Sequence, residues 1–147
     1  MTDEELNAVL AMTEAAGNAW MRGDFDGGYG ALLTKGDDAS IYGPFGGPAV
    51  NSTRMWNDVG RAGAKQFRNG HAQIQLVRSY VSGDLLVLVL LEEQSGEVGG
   101  VADQPWSLRV TQVYRREAGA WRVVHRHADP LVKRRTLPET AAIARGD

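Results

Sequence analysis

The chain has 147 residues, 43% of them hydrophobic and 23% charged, the proportions of one globular domain rather than a disordered segment. Sixteen Lys and Arg stand against eighteen Asp and Glu, a net charge of −2, so the basic excess of a nucleic-acid binder is missing. Cysteine is absent, which excludes disulfides, thiolate nucleophiles and zinc ribbons. The longest apolar run, residues 85–91, is far short of the roughly 20 residues that span a bilayer, and the acidic start Thr2-Asp3-Glu4-Glu5 is the reverse of a signal peptide. The expectation is a cytoplasmic protein without membrane or nucleic-acid partners.

The first predicted element is a helix capped by Thr2 or Asp3, with Leu6, Val9, Leu10, Thr13, Ala16 and Trp20 on one face and Gly23 at its end. A second, shorter helix is expected over 24–33, weakened by Gly27, Gly28 and Gly30. Residues 39–42 read as a strand, broken at once by Gly43-Pro44-Phe45-Gly46-Gly47-Pro48. Ser52 or Thr53 caps a third helix carrying Met55, Trp56, Val59 and Ala62. The rest is β-rich, with strands expected over 73–82, 84–94, 107–116 and 120–128. The short turns between most of them imply an antiparallel meander. From Leu131 the composition changes: Lys133-Arg134-Arg135 is a short basic run, and 138–144 can form one or two helical turns, either docked or frayed. Helices followed by a meander predict an α+β domain.

At this level the chain resembles a family. Met21-Arg22-Gly23-Asp24-Phe25-Asp26, the strand Asp37-Asp38-Ala39-Ser40-Ile41-Tyr42 and the closing Trp121-Arg122-Val123-Val124-His125-Arg126-His127-Ala128-Asp129 are similar to the nuclear transport factor 2-like superfamily. Within it the chain most resembles the SnoaL-like and ketosteroid-isomerase-like bacterial proteins, and its last strand is similar to the association domain of calcium/calmodulin-dependent kinases. The resemblance implies a cone over residues 1–130, with N-terminal helices on a strongly curved, mostly antiparallel sheet of the cystatin-like type. It further implies a pocket at the open end and a homodimer, with 131–147 as a tail outside the cone. Members include isomerases, cyclases, dehydratases, hydrolases and non-catalytic binding or assembly modules.

The catalytic pattern of ketosteroid isomerase, an Asp base with a Tyr and a protonated Asp as oxyanion donors, does not carry over. Laid on this sequence, the base falls at Gly43, the Tyr near Ala16 and the second Asp near Thr111. The pattern of two aspartates and an arginine that holds water in limonene-epoxide hydrolase finds Arg109 but no Asp pair.

The remaining candidates come from strand parity. Arg109 and Thr111 share a face; by resemblance that face looks into the cone, where Arg109 would hold an anion. Of Glu92 and Glu93, the family register favours Glu93 at the mouth, where an acid could move a proton. His125 and His127 share a face with Trp121 and Val123, while Arg126 faces the other way with Val124 and Ala128. The histidines are read as an outer-face or dimer contact, or as a general base in the pocket; a metal site is not expected, although His-x-His-Asp129 has ligand-like spacing. Tyr42 and Trp56 are expected at the cavity mouth, either as ligand wall or as core. With Thr111 and Arg126 they make up the expected ligand-binding set. The loops 43–47 and 96–100 are read as rim loops.

Two functions follow. One is a small-molecule pocket protein, acting without cofactor as an isomerase, cyclase, dehydratase or hydrolase on a small apolar oxygenated substrate. The other is a non-catalytic ligand-binding or dimeric assembly module, paired through the outer sheet face because the strand around 85–91 is apolar on both sides.

Overall fold

The computed structural model describes all 147 residues. Helix α1 spans Asp3–Met21, α2 Tyr29–Leu32, α3 Ser52–Arg54, α4 Gly60–Ala64 and α5 Leu137–Ala144; the strands are β1 Ser40–Tyr42, β2 Phe67–Ser82, β3 Leu85–Val98, β4 Val101–Pro105, β5 Leu108–Glu117 and β6 Ala120–Asp129. One sheet runs β1-β6-β5-β3-β2, with β4 paired to the far end of β3. Only β1 and β6 are parallel. This is the α+β architecture that the element order predicts.

Helix α1 begins where Thr2 caps the Glu5 amide at 3.1 Å and three acids occupy its first turn. Small residues let it lie close to the sheet: a Cβ on Gly17 would sit 3.2 Å from that of Ala72. Its polar side chains close the free edge of β2. Asn18 exchanges two hydrogen bonds with the Ala72 backbone, at 2.9 and 3.0 Å, and the Glu14 carboxylate accepts from the Ile74 amide at 3.0 Å. Over these residues the edge of β2 is closed to foreign strands.

Four register shifts curve the sheet. Two lie between β2 and β3, at Arg68/His71 and Leu76/Arg78, one lies between β3 and β4, at Gly96/Val98, and one lies between β5 and β6, where Val113 pairs with His125 but Tyr114 with Val123. Each leaves extra residues on one strand and bends it. At the first, Gly70 and Gly96 face each other across the strands. A Cβ on Gly96 would come within 2.7 Å of the Gly70 Cα, so only glycine permits the approach. The hollow side of the bent sheet holds Leu86, Leu88, Leu90, Val110, Tyr114 and Val123, all at most 3% exposed. With α1 and the helical segment 52–64 they form the core.

Several expected boundaries move. The second helix is confined to Tyr29–Leu32, because Asp24 Oδ1 accepts the Gly27 amide at 2.8 Å and turns the preceding residues. The third is interrupted by a π-helical turn, Met55–Val59. Residues 95–104, expected as a loop, are a hairpin: β3 runs on to Val98, Gly99 and Gly100 turn with φ of 57° and 85°, and β4 returns. The rim loop expected at 96–100 is therefore ordered sheet. β2 likewise starts at Phe67, six residues early, because the bulge absorbs the turn-like Asn69-Gly70. In the tail, Thr136 caps α5 at 3.3 Å, yet no residue of that helix is buried. No helix is long and apolar enough to cross a membrane.

Gly96→Ala should destabilise the fold by about 1–3 kcal/mol, the usual cost of overpacking. Urea denaturation checks it. An unchanged midpoint would show that the strands separate without cost.

Candidate functional site

The helical segment 52–64, the loop after β1 and the hollow face of the sheet enclose a cavity of about 470 Å³. One wall is aromatic. Tyr29, Trp20, Phe67, Trp106 and Phe45 follow one another edge to face or tilted, with successive ring centroids 5.9, 5.6, 5.3 and 5.9 Å apart. The opposite wall is aliphatic, including Val50, Met55, Val59, Leu108 and Val123. The polar side chains on the lining are Tyr29, Gln66, Gln94 and Arg126; no Asp, Glu or His borders the cavity. Gly43, where the isomerase-like base would stand, borders it without a side chain.

Arg126 is the one charged group at the surface of the cavity. Its side chain is 12% exposed and is held by Glu92, which is 1% exposed. Nη1 donates to Glu92 Oε1 at 2.8 Å and Nη2 to Glu92 Oε2 at 2.9 Å, the bidentate geometry that suits a buried pair. Nη1 also donates to Gln112 Oε1 at 2.8 Å. From there a directional chain runs to α1. Gln112 Nε2 donates to Tyr114 Oη at 2.9 Å, Tyr114 and Thr13 share a 2.6 Å bond, and Thr13 donates to the Val9 carbonyl at 2.7 Å. Because Thr13 spends its proton on Val9, Tyr114 is the donor to Thr13. The guanidinium also stacks on the Tyr29 ring, 4.7 Å from its centroid, and Tyr29 Oη lies 3.5 Å from Glu92 Oε1.

The environment settles the charge states. Burial acts to lower the Arg126 pKa, but the Glu92 carboxylate beside it outweighs that and raises the value above the ordinary arginine range. Burial pushes the Tyr29 phenol well above its usual value, with Glu92 adding to the shift against the opposing pull of Arg126, so Tyr29 is neutral and no base. Tyr114 is raised by burial as well.

The sequence-derived candidates divide. Arg126 borders the cavity. Arg109 and Thr111, expected to look into the cone, lie on its outer face, because Leu108, Val110, Gln112 and Tyr114 take the inner one. There Arg109 forms a fork on Asp129, with bonds of 2.9 and 2.8 Å, and the pair is open to solvent on the arginine side. Glu93 also points outward, beside His71 and Gln73 in a shallow depression, and Glu92 takes the inward place. His125 and His127 are on the outer face, as one of their two readings has it. They do not share it with Trp121 and Val123, since the β-bulge at Val124 sends those two inward with Arg126 and Ala128. Tyr42, expected at the mouth, packs instead on both histidine rings at 6.4 and 5.3 Å, and Ser40 Oγ lies 2.9 Å from His125 Nδ1. Trp56 turns from the cavity to Phe25, 5.4 Å away, under the Arg61 guanidinium. No three acidic or histidine side chains converge as a metal site would need.

Sequence reasoning missed Glu92, Gln112, Tyr29 and Gln94. A signal existed for β5, where 108, 110 and 114 are the large apolar positions against Arg109 and Thr111. None existed for β3, whose two faces are equally apolar from 85 to 91.

The profile of the SnoaL-like domain family matches residues 9–132. No curated protein matches the chain. Among solved structures, a candidate calcium/calmodulin-dependent protein kinase type II association domain from Thiobacillus denitrificans is 24% identical, with a TM-score of 0.67 over 82% of this chain and 93% of that one. A candidate dehydratase of the nuclear transport factor 2-like family from Streptomyces avermitilis is 21% identical, with a TM-score of 0.69 over 89% and 99%. A candidate ketosteroid isomerase from Parabacteroides distasonis is 15% identical, with a TM-score of 0.60 over 84% and 86%. At these identities the likeness is one of fold.

Arg126→Met should cost about 3–5 kcal/mol, because it strands the Glu92 carboxylate in the core. Combining it with Glu92→Leu should restore about half of that loss, leaving the roughly 1–3 kcal/mol of an unpaired Gln112 oxygen. Denaturation midpoints of the two variants check the order.

Proposed function

The chain belongs to the SnoaL-like domain family, and on that premise we propose that its cone is a receptor for a small, mostly apolar molecule carrying an oxygen substituent, working without a cofactor. The observation that carries this reading is the lining itself: an aromatic wall, an aliphatic wall and one cation, in about 470 Å³. That volume falls in the usual range of small-molecule sites. Apolar walls supply affinity, and a single polar anchor orients the ligand.

Binding is favoured over proton-transfer catalysis by what the lining lacks. An isomerase or dehydratase needs a group that takes a proton near neutral pH. The only ionisable side chains on the lining are Tyr29, raised out of reach by burial, and Arg126, which stays protonated. Glu92 has both oxygens committed to Arg126.

The same proposal includes a homodimer through the outer sheet face. Val87, Val89, Leu91 and Val113 form an apolar strip there, continued by the exposed Val77, Tyr80 and Leu85. A monomer seldom leaves so much contiguous apolar sheet to water. His125, His127 and Tyr42 flank the strip.

N-phenyl-1-naphthylamine, a neutral apolar fluorophore, should bind saturably, with energy transfer from Trp20 and Trp106. Val59→Trp, which puts a bulky ring into the cavity from its aliphatic wall, should weaken it at least about tenfold, or 1.4 kcal/mol. Saturable binding indifferent to that substitution would place the dye elsewhere and count against the receptor reading. Sedimentation should give a dimer at micromolar concentration and a monomer for Val89→Glu.

A further inference from the structure

A guanidinium has five N–H donors in a rigid plane. In Arg126 three are engaged, two of Nη1 and one of Nη2, all with Glu92 or Gln112. The Nε–H and the second N–H of Nη2 have no acceptor in the protein. They lie side by side along one edge of the plane. The central guanidinium carbon lies over the Tyr29 ring, 4.7 Å from the centroid. The one sealed side-chain polar atom without a partner in the molecule is Ser52 Oγ, so the Arg126 edge is not sealed. Arg126 borders the cavity, and the geometry points to that space as the one its free edge faces.

A free guanidinium edge ordinarily suggests a carboxylate ligand. Here the charge is already spent. Glu92, 1% exposed, neutralises Arg126 at 2.8 Å, and no second cation lines the cavity. A ligand carboxylate would put two anions around one cation, in surroundings that solvate ions poorly. A neutral carbonyl oxygen takes the same two hydrogen bonds and leaves the site neutral. Resting on the receptor reading above, we propose that Arg126 offers its free edge to a neutral carbonyl, so that the pocket takes an aromatic ketone, ester or lactone rather than the corresponding acid, and that Glu92 sets this preference.

The aromatic wall supplies the rest of the ligand class. Rings stack well on Trp20, Phe67 and Trp106, whose centroids follow one another at 5.6 and 5.3 Å. Gln94, two residues after Glu92 on β3, donates to the Trp106 carbonyl at 3.2 Å, and its own amide oxygen accepts no bond within the protein. The residue borders the cavity about 7 Å along the strand from the Glu92 position.

The test is displacement of N-phenyl-1-naphthylamine by three congeners: methyl 2-naphthoate, 2-naphthoate and 2-methylnaphthalene. On the wild-type protein at pH 7.5 the ester should bind best, at least about tenfold more tightly than the acid. Any apolar cavity would prefer an ester to an acid, so the variants carry the decision. In Glu92→Gln the Arg126 charge is uncompensated, and the ester-to-acid ratio should collapse or invert. In Arg126→Met with Glu92→Leu the ester should lose its margin over 2-methylnaphthalene. That double variant decides the matter if Glu92→Gln fails to fold. An acid that binds wild type as tightly as the ester, a ratio unmoved by Glu92→Gln, or an ester margin that survives the double variant would each overturn the proposal. Binding of the fluorophore and 2-methylnaphthalene with no gain from the carbonyl would overturn it and leave the receptor reading standing. No binding by any of the four compounds would overturn both.

Discussion

The buried pair of Arg126 and Glu92 is the constraint around which the cone is arranged. Two ions removed from water are costly, and the attraction between them offsets that cost only when the geometry is good and every other donor and acceptor finds a partner. Here the accounting reaches across the whole domain. Glu92 comes from β3, Gln112 and Tyr114 from β5, Arg126 from β6, Tyr29 from α2 and Thr13 from α1. Each bond of the chain has a fixed direction, because Thr13 must donate to Val9 and the order of donors follows from there. A shift of one residue in any of these strands would turn a member of the network outward and leave the others unpaired. The network therefore specifies register on a strand, β3, whose apolar pattern specifies none.

The pair also depends on the bends. A strand with unbroken alternation would place Arg126 opposite Val123, outside the cone. The extra residue at Val124 reverses the parity halfway along β6, so that Trp121 and Val123 pack the closed end while Arg126 and Ala128 still point inward nearer the mouth. The glycine pair at 70 and 96 does related work at the other side, where the long hairpin β2–β3 must curl over the helices. Curvature opens the cavity, and the bulge that accompanies it delivers the one cation to its wall.

These facts explain which parts of the structure were legible in the sequence. The helix caps, the α+β order and the meander follow from local chemistry, and the quoted motifs were enough to point to the family and its cone. Arg126 was placed among the ligand-binding residues. Its partner was not recognised, because in a strand reading Leu85 to Leu91 nothing distinguishes the face of Glu92 from that of Glu93. Arg109 and Thr111 were oriented by likeness to a family register rather than by their own strand, where Leu108, Val110 and Tyr114 mark the buried side. Alternation along β6 puts the two histidines on one face, where the structure also has them, but gives them Trp121 and Val123 as neighbours, since bulges leave no mark in a pattern of alternation. Tyr42 followed them outward because β1 is parallel to β6 and Tyr42 pairs with His127.

The chemistry of the lining differs in one further way from that of a cone built to shuttle protons. A catalytic carboxylate in a cone must keep a lone pair free, so it stands alone or shares a proton. In this cone the buried carboxylate has both oxygens bound by an arginine, and the arginine, not the acid, meets the cavity. Such a pair presents donors and no acceptor to a ligand. It can orient and polarise an oxygen, but it cannot receive the hydrogen that an isomerisation or elimination must move. Gly43, just past the end of β1, adds no side chain to the cavity. What the pair brings to the cavity wall is a fixed set of hydrogen-bond donors, and the acceptor on the same lining is the amide of Gln94, two residues after Glu92 on β3.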